Sequence, residues 1–243
     1  MYESTITFTF DTICPWTYLS KKRLDKAISK LDSKDVTFHL RLAPYQLYPT
    51  MACTGEVKRE WYTHEKYNSD PAKFKLYETV MDSYATALNF KFNWDGQVAN
   101  TVDAHRVIQI FQGTAEQFED NPVVFEDGQK SREKYGPETA NRILAALYRQ
   151  YFEEGKHPSS DATLLAACQE AGVEEVDARR VVVEERDMGR REIGQMVKMA
   201  GIDGVDSVPT IIFEGRRRDL TLVGAKEVEE YEKALATIVK ESI

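Results

Sequence analysis

The stretch TFTFDTICPWTYLSKKRL, Thr7 to Leu24, decides the fold. Ile6, Phe8 and Phe10 alternate with Thr5, Thr7 and Thr9, a period of two in β-favouring residues that predicts a strand. After Pro15 the period changes. Leu24, Ala27, Ile28 and Leu31 fall at i, i+3, i+4 and i+7, one face of a helix. Cys14 stands at the junction. Pro15 suits the first helical position, where its missing N–H costs nothing. Free N–H groups and the dipole at a helix start favour an anion, so a thiolate there is expected to have a lowered pKa and to be a better nucleophile. The Thr17 hydroxyl could donate to that thiolate. A buried structural cysteine is the other reading of Cys14, and the local pattern leaves both open.

Outward from this stretch, Asp32-Ser33 closes the helix. Val36, Phe38, Leu40 and Leu42 then alternate with polar residues as a second strand. A helical crossover joins the two strands, so they are expected to be parallel. The middle of the chain is helical in pattern: Ala104, Val107, Ile108 and Phe111 share a face, as do Leu144, Leu147, Tyr148 and Tyr151. SSDATLLAACQEAG carries a Ser or Asp cap before its apolar residues and a glycine after them. VDARRVVVEERDMGRREIGQMVKMAG reads as one or two further helices. Nothing between Gly55 and Ala200 demands a strand, and Asn121 to Pro137 reads as a polar surface connection. Thr210–Phe213 and Leu220–Val223 form a predicted hairpin around a turn. Val228, Tyr231, Leu235 and Ile238 mark a last helix. Ser207-Val-Pro-Thr210 precedes the hairpin. Proline is tolerated at a strand start, and an X-Pro bond can also be cis, exposing the backbone before it.

The 243 residues suffice for one large core or two small ones; 42% are hydrophobic and 30% charged, as in a globular protein. The net charge of −8 argues against nucleic acid as a partner. No apolar run has the length of a membrane span. Lys21-Lys22-Arg23 and Arg216-Arg217-Arg218 read as a solvated helix face and a turn. Cys14, Cys53 and Cys168 are too few and too far apart for a disulfide framework, and the four histidines show no metal spacing, so no metal is expected. Strand pattern starts almost at the first residue, which reads as a chain without a secretory leader. A cytoplasmic protein with reduced thiols fits these features.

The motif Asp11-Thr-Ile-Cys14-Pro15-Trp16-Thr17-Tyr18 resembles the Asp-x-x-Cys-Pro-Trp-Cys-Tyr of FrnE-like proteins, within the DsbA-type branch of the thioredoxin superfamily. RLAPYQLYPTM (Arg41–Met51), NTVDAHRVIQ (Asn100–Gln109) and Leu147–Val173 resemble further segments of that branch. So do GVDSVPTIIFEG and LVGAKEVEEYEKAL near the C-terminus. The resemblance implies an α/β thioredoxin-like fold, β-α-β … β-β-α, with a large all-helical insertion. Residues 1–54 and 203–243 would form the thioredoxin-like domain and 55–202 the insertion. It implies a cis turn at Val208-Pro209, whose backbone pairs with a thiol peptide.

FrnE-like and DsbA-like oxidoreductases resolve their mixed disulfides with a second cysteine, and Thr17 replaces it here. The expected activity is therefore a single-cysteine thiol oxidoreductase. Cys14 and Thr17 are the catalytic candidates, and Pro15, Trp16, Val208, Pro209 and Lys226 the thiol- or substrate-binding ones. Glutathione or another external thiol is the expected resolving partner, with Cys53 as a candidate resolving thiol. Kappa-class glutathione transferases and 2-hydroxychromene-2-carboxylate isomerases are more distant relatives. They carry Ser-Pro-Tyr-Ser-like motifs, so a glutathione-dependent transferase or isomerase is the alternative. Its substrate would be small and aromatic or enone-like, of the secondary-metabolite kind. Trp61, Tyr62, Tyr67, Phe90, Phe92 and Trp94 would line an apolar pocket for it or pack the helices. Those relatives hold the glutamyl amine with an acid where this chain has Lys226, which can hold only a carboxylate. A binding module without catalysis is the third reading. His105 is expected to be a satisfied histidine within the insertion, with Asp103 and Arg106 as a local ion pair. A homodimer is left open.

Overall fold

The fold is seen in a computed structural model, which describes residues 1–113 and 123–242. Strand β1 (Tyr2–Phe10) lies inside a four-stranded sheet, with β2 (Val36–Pro44) on one side and β5 (Thr210–Phe213) then β6 (Leu220–Val223) on the other. Helix α1 (Pro15–Ser29) follows it and returns the chain to β2, parallel to β1 with Phe8 beside Leu42. β5 pairs antiparallel with the other edge of β1, and β6 pairs with β5 as the expected hairpin. Helix α10 (Val228–Ser242) packs on α1 and buries Val228, Tyr231, Leu235 and Ile238. Because β1 is covered on both sides, Ser4, Thr7 and Thr9 are buried along with Ile6, Phe8 and Phe10.

Between β2 and β5 the chain is mostly helical. It runs through β3 (Glu56–Val57), α2 (Lys58–Trp61), α3 (Pro71–Ala87), β4 (Gln97–Val98), α4 (Val102–Gln112), α5 (Ser131–Lys134), α6 (Pro137–Phe152), α7 (Asp161–Glu170), α8 (Glu175–Arg179) and α9 (Arg190–Ile202). Local chemistry sets several of these ends. Asp70 caps α3 by accepting from Ala72 and Lys73 N–H, with Pro71 in the first turn. Ser160 caps α7 through Thr163 N–H, as its sequence predicts. Helices α4 and α6 pack side by side, and α6 lies against α7.

Four features depart from expectation. Lys21 and Arg23 are buried rather than solvated: Lys21 reaches Asp25, and Arg23 reaches Glu227 and the Lys226 carbonyl. Their long stems cover apolar surface while their heads find partners. Val123 and Phe125 belong to the core rather than to a polar connection, and Phe125 meets Phe111 and Tyr135 ring to ring. Asn121 and Pro122 of that stretch lie outside the described residues. The insertion contains a two-stranded ribbon, β3–β4, too short to show a sequence period. Finally, π-helical turns at Tyr62–Lys66 and Arg180–Glu184 extend α2 and α8. Gly96, at φ +89, lets the chain before β4 pass the end of α6; a Cβ there would lie 2.0 Å from the Gly155 carbonyl.

Candidate active site

The end of β1 and the start of α1 place Cys14. It is the N-cap residue of α1, in extended conformation, and its carbonyl accepts from Thr17 and Tyr18 N–H. Its own N–H donates to the Asp11 carbonyl at 3.1 Å. The side chain is 5% exposed. The Val208–Pro209 peptide is cis, and the Val208 carbonyl faces Cys14 Sγ at 3.9 Å. Two segments 194 residues apart thus meet at one sulfur.

Thr17 is fully buried, and its hydroxyl is committed elsewhere. It lies 2.7 Å from the Cys14 carbonyl and 2.8 Å from the Asp11 carbonyl, and accepts from Tyr148 Oη at 2.9 Å. Its one hydrogen therefore goes to the backbone, and Thr17 ties the turn rather than donating chiefly to the thiol. The expected low thiol pKa is also corrected. Burial pushes the Cys14 thiol up to about 11, and the Asp11 carboxylate adds to the rise. The Thr17 and Trp16 N–H groups pull the other way without offsetting it. A helix start stabilises a thiolate by partial charges, whereas loss of water removes the larger share of its solvation.

Asp11 and His105 meet beside Cys14, a placement that the sequence reading missed. Asp11 is fully buried; Oδ2 accepts from Leu47 N–H at 2.7 Å, and Oδ1 lies 3.3 Å from His105 Nε2. The His105 ring packs on Phe10 with centroids 5.1 Å apart. So His105, on α4, reaches out of the insertion to the strand end beside Cys14, and its Nδ1 is buried without a partner among the described residues. It is not the satisfied histidine expected. The signal was present in the spacing Asp11-x-x-Cys14, but the partner lies 94 residues away. Asp103 and Arg106 do pair, at 2.8 Å, and Asp103 also holds Arg190.

Five phenols feel the charge of Cys14. Burial, then the charges of Cys14 and Asp11, push Tyr48 up to about 12. Tyr62, Tyr77, Tyr148 and Tyr151 are likewise raised, first by burial, with the charge of Cys14 contributing. All five are donors at neutral pH. Tyr48 and Trp61 also line a cavity of about 350 Å³ beside the loop after β2, with Lys66 at its edge. Trp61, Tyr62, Phe92 and Trp94 are mainly packed on one another: Trp61 meets Tyr62 edge-on at 5.2 Å, and Phe92 meets Trp94 at 5.3 Å. Tyr67 joins through Phe74 and Tyr77, and Phe90 through Tyr18.

The remaining candidates divide. Pro15 is buried in the first turn of α1, and half-buried Trp16 meets Tyr84 of α3 edge-on at 5.6 Å. The Pro209 carbonyl accepts from Gly224 N–H at 2.8 Å, which brings the Gly224-Ala225-Lys226 turn beside the cis-proline loop. Cys53 is exposed, with its backbone against His157; it and Cys14 are both free thiols. No group of three metal-ligating side chains occurs among the described residues.

A family model described as the DSBA-like thioredoxin domain matches residues 5–139, more than half of the chain. The chain belongs to that family. This DSBA-like protein shares its fold with a probable DsbA oxidoreductase from Streptomyces coelicolor, at 20% identity and TM-score 0.77, over 98% of this chain and 91% of the other. It is also similar to the cytosolic disulfide reductase DsbM from Pseudomonas aeruginosa crystallised with GSH, at 15% identity and TM-score 0.58, covering 97% and 99% of the two chains. A 2-hydroxychromene-2-carboxylate isomerase matches at 14% identity and TM-score 0.56, over 97% of this chain and 96% of that one. No curated protein matches. In the DSBA-like frame, Cys14 occupies the strand–helix junction and Val208-Pro209 the facing loop. No described helix is long and apolar enough to cross a membrane.

Proposed function

We propose that this DSBA-like protein is a single-cysteine thiol oxidoreductase that uses glutathione, or another small thiol, to resolve its intermediate. The observation that carries this is the free sulfur of Cys14 at a helix start, 3.9 Å from the Val208 carbonyl of a cis-proline loop. In the first step the Cys14 thiol gives its proton to water and the thiolate attacks one sulfur of a small disulfide. The S–S bond breaks, the departing thiolate takes a proton, and Cys14 is left in a mixed disulfide. A glutathione thiolate then attacks the substrate sulfur of that mixed disulfide. Cys14 is released, and the product is a disulfide between glutathione and the substrate. The Val208 backbone would align the bound thiol, and Lys226, in the turn that Gly224 ties to the Pro209 carbonyl, would hold its carboxylate. A reducing compartment such as the cytoplasm supplies the glutathione.

One observation favours a second reading. A thiol held up at about 11 is protonated at neutral pH and is a hydrogen-bond donor. It could then support the thiolate of bound glutathione, as a serine would, in transferase or isomerase chemistry on a small aromatic or enone-like substrate. The Cys14→Ser variant separates the two. Turnover of glutathione-coupled disulfide reduction, with the adduct on Cys14 read by intact mass, is expected in the wild type and absent in Cys14→Ser. Undiminished activity in Cys14→Ser would refute the redox reading and support the donor reading.

A further inference from the structure

The central sheet has a second face that the site does not use. In the β-ladder, Thr7 lies beside Arg41 of β2 and Ile212 of β5, and Thr9 beside Ala43, so these side chains share one face. Helix α9 covers it. Of the α9 residues only Ile193 is buried, and Met199 is 46% exposed. A face built of threonines offers little apolar surface for a helix to close upon. What remains between them is a cavity of about 380 Å³. The cavity opens to solvent past exposed Arg41, Asp203 and Met199. The volume falls within the usual range for small-molecule sites, about 300–1,000 Å³.

The polar groups of the lining say what would fill it. Gln109 and Gln112 are spent on the edge of β2: both donate to the Leu42 carbonyl, and Gln112 Oε1 accepts from Leu42 N–H at 2.8 Å. The Thr7 and Thr9 hydroxyls have no hydrogen-bond partner among the described residues and line the cavity. Arg41 and Asp203 also line it; both are exposed, and neither has an ion-pair partner among the described residues. Met196, Met199 and Ala200 supply an adaptable apolar wall opposite Ile212. One guanidinium, one carboxylate, two free hydroxyls and an apolar middle thus line the same cavity.

We propose that this cavity is a binding site for a small zwitterion with an apolar body, of the apolar amino-acid or dipeptide class. Arg41 takes its carboxylate and Asp203 its ammonium. The threonine hydroxyls serve a peptide group, and the side chains lie against the methionines. The inference does not rest on the thiol chemistry of Cys14.

The test titrates leucyl-phenylalanine into protein labelled at its methionine methyls, six in number. Saturable shifts of Met196 and Met199 are expected, assigned by single Met→Leu variants. Arg41→Gln, at an exposed position, should weaken binding about ten-fold, the scale of one charge-assisted contact. The same dipeptide blocked as its N-acetyl amide should bind more weakly by at least that factor. No saturable shift at Met196 and Met199 would overturn the proposal. So would equal binding of the blocked peptide, or unchanged binding by Arg41→Gln.

Discussion

At the scale of single residues, the site is governed by what surrounds Cys14 more than by the motif that contains it. Cysteine and proline at a helix start suggest an acidic thiol, yet the sulfur is buried and sits beside a buried carboxylate. Burial and a neighbouring negative charge both favour the neutral form. The protein should therefore alkylate first at exposed Cys53, with Cys14 titrating near 11. Asp11→Asn keeps an acceptor for Leu47 N–H but removes the charge. It should lower the Cys14 midpoint, read as the pH dependence of iodoacetamide labelling by peptide mass. An unchanged midpoint would mean that desolvation alone sets it. Thr17 was legible as the missing second cysteine. Its role as a tie among two carbonyls and Tyr148 was not, because Tyr148 lies 131 residues away.

At the scale of elements, the short α2 is anchored by a buried cation. Lys58 Nζ donates to the carbonyls of Asn93 and Tyr151, at 3.1 Å each, and lies 4.0 Å from the centre of the Tyr151 ring. It has no carboxylate partner among the described residues, and burial lowers its pKa from 10.5 to about 7. An unfolded chain therefore binds more protons than the folded one between those values, so stability contributed by this site rises with pH there. Below about 7 both states are protonated, and the folded state bears the whole cost of the charge. Wild type should gain on Lys58→Met by about 1 kcal/mol for each pH unit above that point. Urea unfolding at a series of pH values measures the gap, and a constant gap would show that the three contacts hold the ammonium charged. Nothing in the sequence marks Lys58, since burial of a lysine depends on elements that are distant along the chain.

At the scale of the whole molecule, Arg106 binds the insertion together. Its guanidinium is fully buried and reaches Asp103, the Val181 carbonyl and the Val182 carbonyl, joining α4 to the turn after α8. Asp103 passes the link to Arg190 of α9. Removing a buried partner leaves polar groups unsatisfied, so Arg106→Met should cost about 3 kcal/mol. Arg190, about a third exposed, should cost less than half as much on the same change, because water replaces it. Equilibrium unfolding compares the two variants, and equal losses would count against this account. The local ion pair was legible from its i, i+3 spacing; its role as a junction of three segments was not.

The sequence by itself determined the β1-α1-β2 start and the β5-β6-α10 end of the chain, the parallel β1–β2 pairing, the closing hairpin and the position of Cys14 at a strand–helix junction. These follow from hydrophobic period and local caps, which act over a few residues. Only the tertiary structure decided that Asp11 meets His105, that Val208 faces the sulfur, that Lys21 and Arg23 are buried and that the thiol is hard to ionise. Each of these depends on exclusion of water by segments distant in the chain. Desolvation is a property of the packed molecule, and no local pattern encodes it.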